Sequence, residues 1–359
     1  MAKCAVVFVP YRPIWYYEML GPCVRDWAAM EAAFVLCDQA GIPTWIIDRP
    51  MFPPWRSAPS GRRPLRQISD RVPEDRIVRQ SRVSLPAAFL YSRRASAPII
   101  ERTLQNIRAR YDRILILDFD PFGEISAPFG AVHWFDEIDD FSKHHRIPRR
   151  DRQAFLKKRQ HSHNIHTASN LKSKEGTPVP NWVFTPITPA PRTDTWLYEF
   201  GYLGYVDNKI DVDLVKRIAA RGKIGIWGKI LDRNVRRQLS EIPGVDLMGE
   251  YDGGQLQHIM SLFRFGIIPF LVDRIHGNSP IKYYQYSAAH KPCLSTSDFG
   301  LVRENLVVFG ASRSDAVLDA AIDSLTACQT VDWAAIEQQN NEGRQIFETR
   351  FAAALSELT

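Results

Sequence analysis

Short apolar runs rich in β-branched and aromatic residues alternate along this chain with longer helical patterns, and that alternation constrains the fold more than any other feature. Strands joined by helices in this way form βαβ units, whose right-handed crossovers build parallel sheets. In the first half the strand-like runs are Cys4–Pro10, Thr44–Ile47, Arg113–Asp118, Ala131–Phe135 and Ile165–Ala168, with a helix over Trp27–Ala40 stopped by Gly41 and Pro43. The passage Thr185–Pro191 then breaks all periodicity with three prolines in seven residues and reads as an interdomain linker. The alternation restarts at Gly201–Val206 and runs through helix Val212–Arg221, strand Lys223–Trp227, helix Asn234–Leu239, strand Val245–Met248, helix Gln255–Leu262, strand Phe265–Phe270, helix Ile281–His290 and strand Pro292–Leu294. Two Rossmann-like α/β domains are expected, over 1–190 and 191–335, with an amphipathic C-terminal segment, 336–359, crossing back to the first. At 359 residues the chain is long enough for two cores.

Hydrophobic residues make up 45% and charged residues 24%, the balance of an ordinary globule and not of a disordered chain or a membrane bundle. The apolar opening Cys4–Pro10 is too short to span a bilayer, and Tyr11 and Arg12 follow it without a small-residue cleavage site, so no export signal is expected. Five cysteines (Cys4, Cys23, Cys37, Cys293, Cys328) form no CxxC pair and no even framework, which fits a reducing cytoplasm and argues against structural zinc or a disulfide scaffold. A net charge of +6 and a pI near 9.0 suit an anionic partner. Eight arginines crowd one stretch, Arg56, Arg62, Arg63, Arg66, Arg71, Arg76, Arg79 and Arg82, together with Phe52 and Trp55. That stretch reads either as a solvated loop or as a patch for an anionic membrane surface or a lipid-linked substrate.

Ligands of open α/β sheets bind beyond the carboxyl ends of the strands, here the loops after Tyr205, Trp227, Met248 and Phe270. The helix after the last of these carries the sharpest signal. Pro280, which has no N–H to leave unpaired, suits a first helical turn and Asn278 or Ser279 can cap it, so the free amides and positive dipole end of the turn that opens Ser279-Pro280-Ile281 can receive a diphosphate. Lys282, Gln285 and Tyr286 share one face, so that Lys282 can neutralise phosphate and Gln285 can bond a sugar or ribose hydroxyl. The alternative is that the three tyrosines pack and Lys282 is a surface charge.

The order Ile268-Pro269-Phe270, then Ser279-Pro280-Ile281-Lys282-Tyr283-Tyr284-Gln285-Tyr286-Ser287-Ala288-Ala289-His290-Lys291-Pro292, resembles the donor-site signature of bacterial GT-B glycosyltransferases. Gln285 stands where that signature has Glu, and His290 where it has Gly. The Lys-x-x-Gln-Tyr variant is similar to the xanthan-biosynthesis glucuronosyltransferase family, and Gly201-Tyr202-Leu203-Gly204-Tyr205 to the G-Y-x-G opening of the same group's donor domain. Weaker likenesses lie at Ser169-Asn170-Leu171 and at Val179-Pro180-Asn181-Trp182-Val183, where Trp182 takes a glycine's place. The resemblance implies two Rossmann-like domains facing a central cleft (GT-B), with Gly204, Tyr205, Trp227, Ser279, Pro280, Ile281, Lys282 and Gln285 around the donor.

In the first domain Phe135-Asp136-Glu137-Ile138-Asp139-Asp140-Phe141 follows a strand and resembles the acceptor-domain Y-D-x-x-D-D segment of these enzymes. An attacking hydroxyl must lose a proton, so a carboxylate there serves as general base; Asp139 is the first choice and Asp140 the second. The alternative is an acidic loop capping a helix. Asp118-Phe119-Asp120 imitates a metal-binding DxD but ends a strand, and His144, His145, His161, His163 and His166 lack cysteines at zinc spacing. No GxSxG elbow, phosphate loop or nucleic-acid module occurs. The expectation is a cytoplasmic, metal-independent hexosyl or glucuronosyl transferase with no cofactor beyond a nucleotide-sugar co-substrate. Its donor is a UDP-sugar, with UDP-glucuronate suggested by the variant motif, and its acceptor a saccharide or lipid-linked saccharide in bacterial polysaccharide or glycoconjugate synthesis. A catalytically silent sugar-nucleotide or glycan-binding protein and a sugar-nucleotide epimerase of the same fold are the alternatives.

Overall fold

Strand β1 (Cys4–Val9) is buried along its whole length, as a continuous apolar run must be when helices cover both faces of a parallel sheet. One face holds Ala5, Val7 and Val9 against Ile100, Leu104 and Ile107 of α2 (Ser96–Arg108), whose spacing of four and three places them on one stripe. On α1 (Arg25–Gln39) Phe34 meets Phe8 of β1 edge-on, with ring centroids 4.8 Å apart. A computed structural model describes residues 3–11, 14, 25–48, 72–78, 96–123, 131–138, 140–143, 147–161, 163–166, 177–189, 195–275, 279–312 and 314–359. They fall into two compact units, Met1–Pro180 with Gly343–Thr359, and Asn181–Glu342.

The first unit contains a parallel sheet ordered β3-β2-β1-β4-β5-β6-β7. Its further strands are β2 (Thr44–Ile47), β3 (Ile77–Val78), β4 (Arg113–Asp118), β5 (Ala131–Glu137), β6 (His163–His166) and β7 (Thr177–Pro178), and α3 (Arg149–His161) precedes β6. Phe135 and Phe155 join β5 to α3 at 6.0 Å. The second unit repeats the plan in the order β10-β9-β8-β11-β12-β13. Its strands are β8 (Tyr198–Leu203), β9 (Ile224–Trp227), β10 (Val245–Gly249), β11 (Phe263–Ile268), β12 (Cys293–Ser295) and β13 (Leu306–Val308). Helices α4 (Val212–Ala219), α5 (Arg233–Ser240), α6 (Leu256–Leu262), α7 (Ile281–Ala288) and α8 (Asp315–Ala327) connect or follow them. The strand order reverses between β8 and β11, which makes their carboxyl ends the switch point of this sheet.

The proline-rich passage belongs to the second unit, whereas the sequence suggested a linker there. Val183 and Ile187 pack against the second core, and Thr188 exchanges two backbone hydrogen bonds with the Gln257 amide at 2.8 and 2.9 Å. Prolines stop helix and strand periodicity, but the apolar residues between them still find a core. The last helix, α9 (Trp333–Leu358), changes unit between Glu342 and Gly343. Trp333 stacks on His290 of the second unit, while Phe351 meets Trp134 and the Leu358 carbonyl accepts from Cys4 Sγ in the first.

Candidate functional site

At the switch point of the second unit, three elements bring their ends together. Strand β8 delivers Tyr202 and, just beyond its end, Gly204, the stretch after β11 delivers Phe270, and α7 delivers Lys282. Gly204 has φ +114, and a Cβ there would lie 3.4 Å from Lys282 Cε. Gly228, with φ +148, runs so close behind it that its own Cβ would fall 1.8 Å from the Gly204 carbonyl oxygen. Glycine is required at both places, since φ in this range and a backbone approach of this kind exclude a side chain. The Gly204 amide donates to the Trp227 carbonyl at 2.9 Å and that of Gly228 to the Gly249 carbonyl at 2.7 Å, which stitches the ends of β8, β9 and β10 into one surface.

Lys282 reaches over this surface. Its Nζ donates to the Tyr202 hydroxyl at 2.8 Å and lies 4.1 Å from the centroid of the Tyr202 ring and 4.6 Å from that of Phe270. No carboxylate stands within ion-pair distance of it among the described residues. Enclosure of the ammonium lowers its pKa from 10.5 to about 7; Asp207 offsets this in part and Lys209 adds to it. The Tyr202 hydroxyl in turn donates to the Tyr205 carbonyl at 2.7 Å.

Helix α7 carries the site on a rigid mount. Tyr286 is fully buried, accepts from the Leu203 amide at 3.0 Å and donates to the Ile267 carbonyl at 3.4 Å, so one side chain pins the ends of β8 and β11. Gly266 leaves room for its ring, because a Cβ there would lie 2.3 Å from it. On the far side Tyr283 donates to Asn305 at 2.8 Å, and Asn305 and Asn340 both donate to Ser287 Oγ, at 3.1 and 2.6 Å. Gln285, on the same helix, is 7% exposed.

The helix begins at Ile281, as the sequence suggested, but Pro280 stands before its first turn and not in it. Pro280 occupies the cap position, with φ −72 and ψ 113, and Ile281 starts the helix without a side-chain cap. The extended ψ places Pro280 outside the helix, although its fixed φ would suit the first turn. Ser279 is held from behind by Asn181, whose amide donates to the Ser279 carbonyl at 2.7 Å. Asn278 lies outside the described residues. Tyr205 is 43% exposed beside the lysine surface. Trp227 departs from expectation: its ring is buried, edge-on to Tyr198 at 5.4 Å and folded over Gly225, so only its carbonyl serves the site. Tyr202, Phe270 and Asn181 were not singled out from the sequence. Each stood within a quoted motif, Tyr202 in Gly-Tyr-Leu-Gly, Phe270 in Ile-Pro-Phe and Asn181 in Val-Pro-Asn-Trp-Val, but none was given a role.

In the first unit, Asp139 lies outside the described residues. Its neighbours are held by cations: Asp136 by Arg25 Nε at 2.9 Å, and Glu137 by Arg159. Asp140 is 4% exposed and accepts from Ser142 N at 3.2 Å and Ser142 Oγ at 2.5 Å, with Lys143 Nζ at 3.4 Å. Asp118 and Asp120 are fully buried around Lys158, whose ammonium pairs with the Asp118 carboxylate and donates to the Asp120 and Gly123 carbonyls, at 2.5 and 3.0 Å. Among the described residues no group of three His, Cys, Asp or Glu is placed to hold a metal ion, and His144 and His145 lie outside them. No helix there is long and apolar enough to cross a membrane. Of the arginine-rich stretch, only Arg76 is described.

No protein-family model matches the sequence, and no curated protein does. Solved structures are similar over the whole chain. Sucrose-phosphate synthase from Thermosynechococcus elongatus aligns with a TM-score of 0.59 at 14% identity, over 99% of this chain and 98% of that one. The lipopolysaccharide outer-core galactosyltransferase WaaB aligns at 0.58 and 12%, over 99% and 100%. AviGT4, a glycosyltransferase involved in avilamycin A biosynthesis, aligns at 0.54 and 12%, over 98% of each chain. With its two parallel-sheet units, the chain has the two-Rossmann-domain GT-B fold.

Proposed function

We propose that the protein is a glycosyltransferase that moves a sugar from a UDP-sugar to a hydroxyl of a saccharide or lipid-linked saccharide in bacterial polysaccharide or glycoconjugate synthesis. One observation carries the reading. The Lys282 ammonium, at the first turn of α7 and at the switch point, is enclosed by aromatic rings and has no carboxylate partner among the described residues. An enclosed cation without a counterion is costly, and a diphosphate supplies the counterion together with acceptors for the uncapped helix start. Two of the similar structures are glycosyltransferases by name, which fits this reading.

On this reading the departing diphosphate is stabilised by Lys282 and by the amides of Ile281 and Lys282, a preorganised positive end. The Gln285 amide is the proposed contact to a ribose or sugar hydroxyl. Asp139 is the proposed base for the acceptor hydroxyl, because each described carboxylate flanking it in sequence, Asp136, Glu137 and Asp140, is already engaged by cations or hydrogen bonds. The co-substrate is the nucleotide sugar, with UDP-glucuronate the first candidate through the Lys-x-x-Gln-Tyr variant. An arginine-rich stretch beside Trp55 suits an anionic membrane surface as the place of a lipid-linked acceptor.

Calorimetry with UDP-, GDP- and dTDP-sugars tests the donor half, with binding of a UDP-sugar expected and a loss of about thirtyfold in Lys282→Met. Absence of binding by every nucleotide sugar overturns it. Asp139→Asn should keep donor affinity while abolishing transfer and slow donor hydrolysis; unchanged turnover refutes the assignment of the base. Isomerised sugar nucleotide formed from the donor alone would identify an epimerase instead.

A further inference from the structure

We infer that Tyr202 is a positioning residue for Lys282: its hydroxyl anchors one N–H of the ammonium and aims the other two at the donor diphosphate. The inference rests on the donor-site reading above. A phenol has a single proton, and that of Tyr202 is committed to the Tyr205 carbonyl at 2.7 Å. Its oxygen can therefore only accept from Lys282, at 2.8 Å, so the relay from lysine to phenol to carbonyl has one direction. An ammonium has three N–H groups, and the remaining two have no protein acceptor among the described residues. The ring beneath, at 4.1 Å, and that of Phe270, at 4.6 Å, attract the cation by their faces and offer it no hydrogen-bond acceptor. Two oriented donors on a fixed cation match two oxygens of a diphosphate.

The hydroxyl also bears on the protonation of Lys282. The titratable and charged groups around the ammonium are Tyr202 and, in the loop after β8, Asp207 and Lys209; Cys293 of β12 is another, and Tyr251 lies near Tyr202. Burial raises the Tyr202 pKa well above 10, so the phenol keeps its proton throughout the working range. As a neutral acceptor it favours the charged amine over the uncharged one. Removing it makes Lys282 give up its proton at lower pH.

The test is a double-mutant cycle on the full chain, read by calorimetry with UDP. Tyr202→Phe keeps the ring and removes the hydroxyl, and it should weaken UDP binding about 3- to 10-fold. In a Lys282→Met background the same substitution should have no further effect. Equal affinity of wild type and Tyr202→Phe, or the same loss in both backgrounds, overturns the inference. Lysine labelled with carbon-13 at Cε provides a readout independent of any ligand. The Lys282 resonance, identified by its absence in Lys282→Met, should titrate at lower pH in Tyr202→Phe than in wild type, and an unchanged midpoint overturns the link between the two side chains. If wild type fails to bind UDP while this midpoint does move, the donor reading fails and the link stands. Tyr202→Met carries the same expectations should the Phe variant not fold.

Discussion

Donor affinity should fall with rising pH, because the residue proposed to receive the diphosphate is close to losing its proton before the donor arrives. In the free protein burial lowers the Lys282 pKa to about 7. A bound diphosphate favours the ammonium and raises that value, so above about pH 7 binding must take up a proton. The fraction of free protein already charged is about nine-tenths at pH 6 and about one-tenth at pH 8, so affinity should drop roughly tenfold between them, or about 1.4 kcal/mol. The ligand should be a UDP-sugar, whose diphosphate is esterified at both ends and does not titrate there, whereas a terminal phosphate gains charge near pH 6. Calorimetry in buffers of different ionisation enthalpy counts the protons directly: close to one taken up at pH 8 and few at pH 6. In Lys282→Met the residual affinity should be flat with pH. A wild-type affinity that does not change, or a slope that survives Lys282→Met, refutes the argument.

Three further outcomes follow from the packing. Gly228→Ala places a methyl group 1.8 Å from the Gly204 oxygen and should lower stability by about 3 kcal/mol in denaturant titration, with loss of UDP binding; near-wild-type stability would mean that the loops after β8 and β9 are looser than described. Lys158→Met removes the ammonium from the buried Asp118 carboxylate, leaving it His133 Nε2 at 3.0 Å and the Asp120 amide at 2.8 Å, and should cost about 3 kcal/mol, most of it recovered in Lys158→Met with Asp118→Leu; equal losses in single and double variants would show that the ion pair is not the cause. Lys291 is 2% exposed, donates to the Phe263 carbonyl and has its pKa lowered by burial from 10.5 to about 7. Between those values the unfolded chain holds a proton that the folded one has released, so stability in urea should rise with pH across that window, and less so in Lys291→Met; an equal rise in the variant would exonerate this lysine.

The second unit was the more legible half, for a physical reason. Its strands up to β11 are apolar-rich runs of four to six residues between helices, and α4 and α5 announce themselves with Asp211 and Asp232, each of which caps its helix. In contrast, β3, β7 and β13 are two or three residues long, too short for any period to show. Trp227 misled because an aromatic at a strand's end can face the crevice or the core. The signal that settles it was Gly225, two residues earlier on the same side of the strand, which leaves the space into which the indole folds. Lys282 was legible as the residue of a helix start. Its surroundings were not, because Tyr202 and Phe270 come from the ends of β8 and β11, neighbours only through the strand order.

Those surroundings explain why Lys282 is suited to an anion that comes and goes. Had the walls carried a carboxylate, the lysine would have a permanent partner, and a diphosphate would have to displace it before binding. Aromatic faces attract a cation without neutralising it. They also exclude water, which lowers the lysine's pKa and strengthens any charge pair formed there. The free site is therefore held short of its best electrostatic state by Tyr202, Phe270 and Gly204, and the rigid mount of α7 through Tyr286 and Asn305 keeps it from relaxing. Preorganisation of this kind acts on both donor and departing nucleotide diphosphate. It gains most where negative charge builds up on the leaving oxygen, the step in which a sugar transfer would use it.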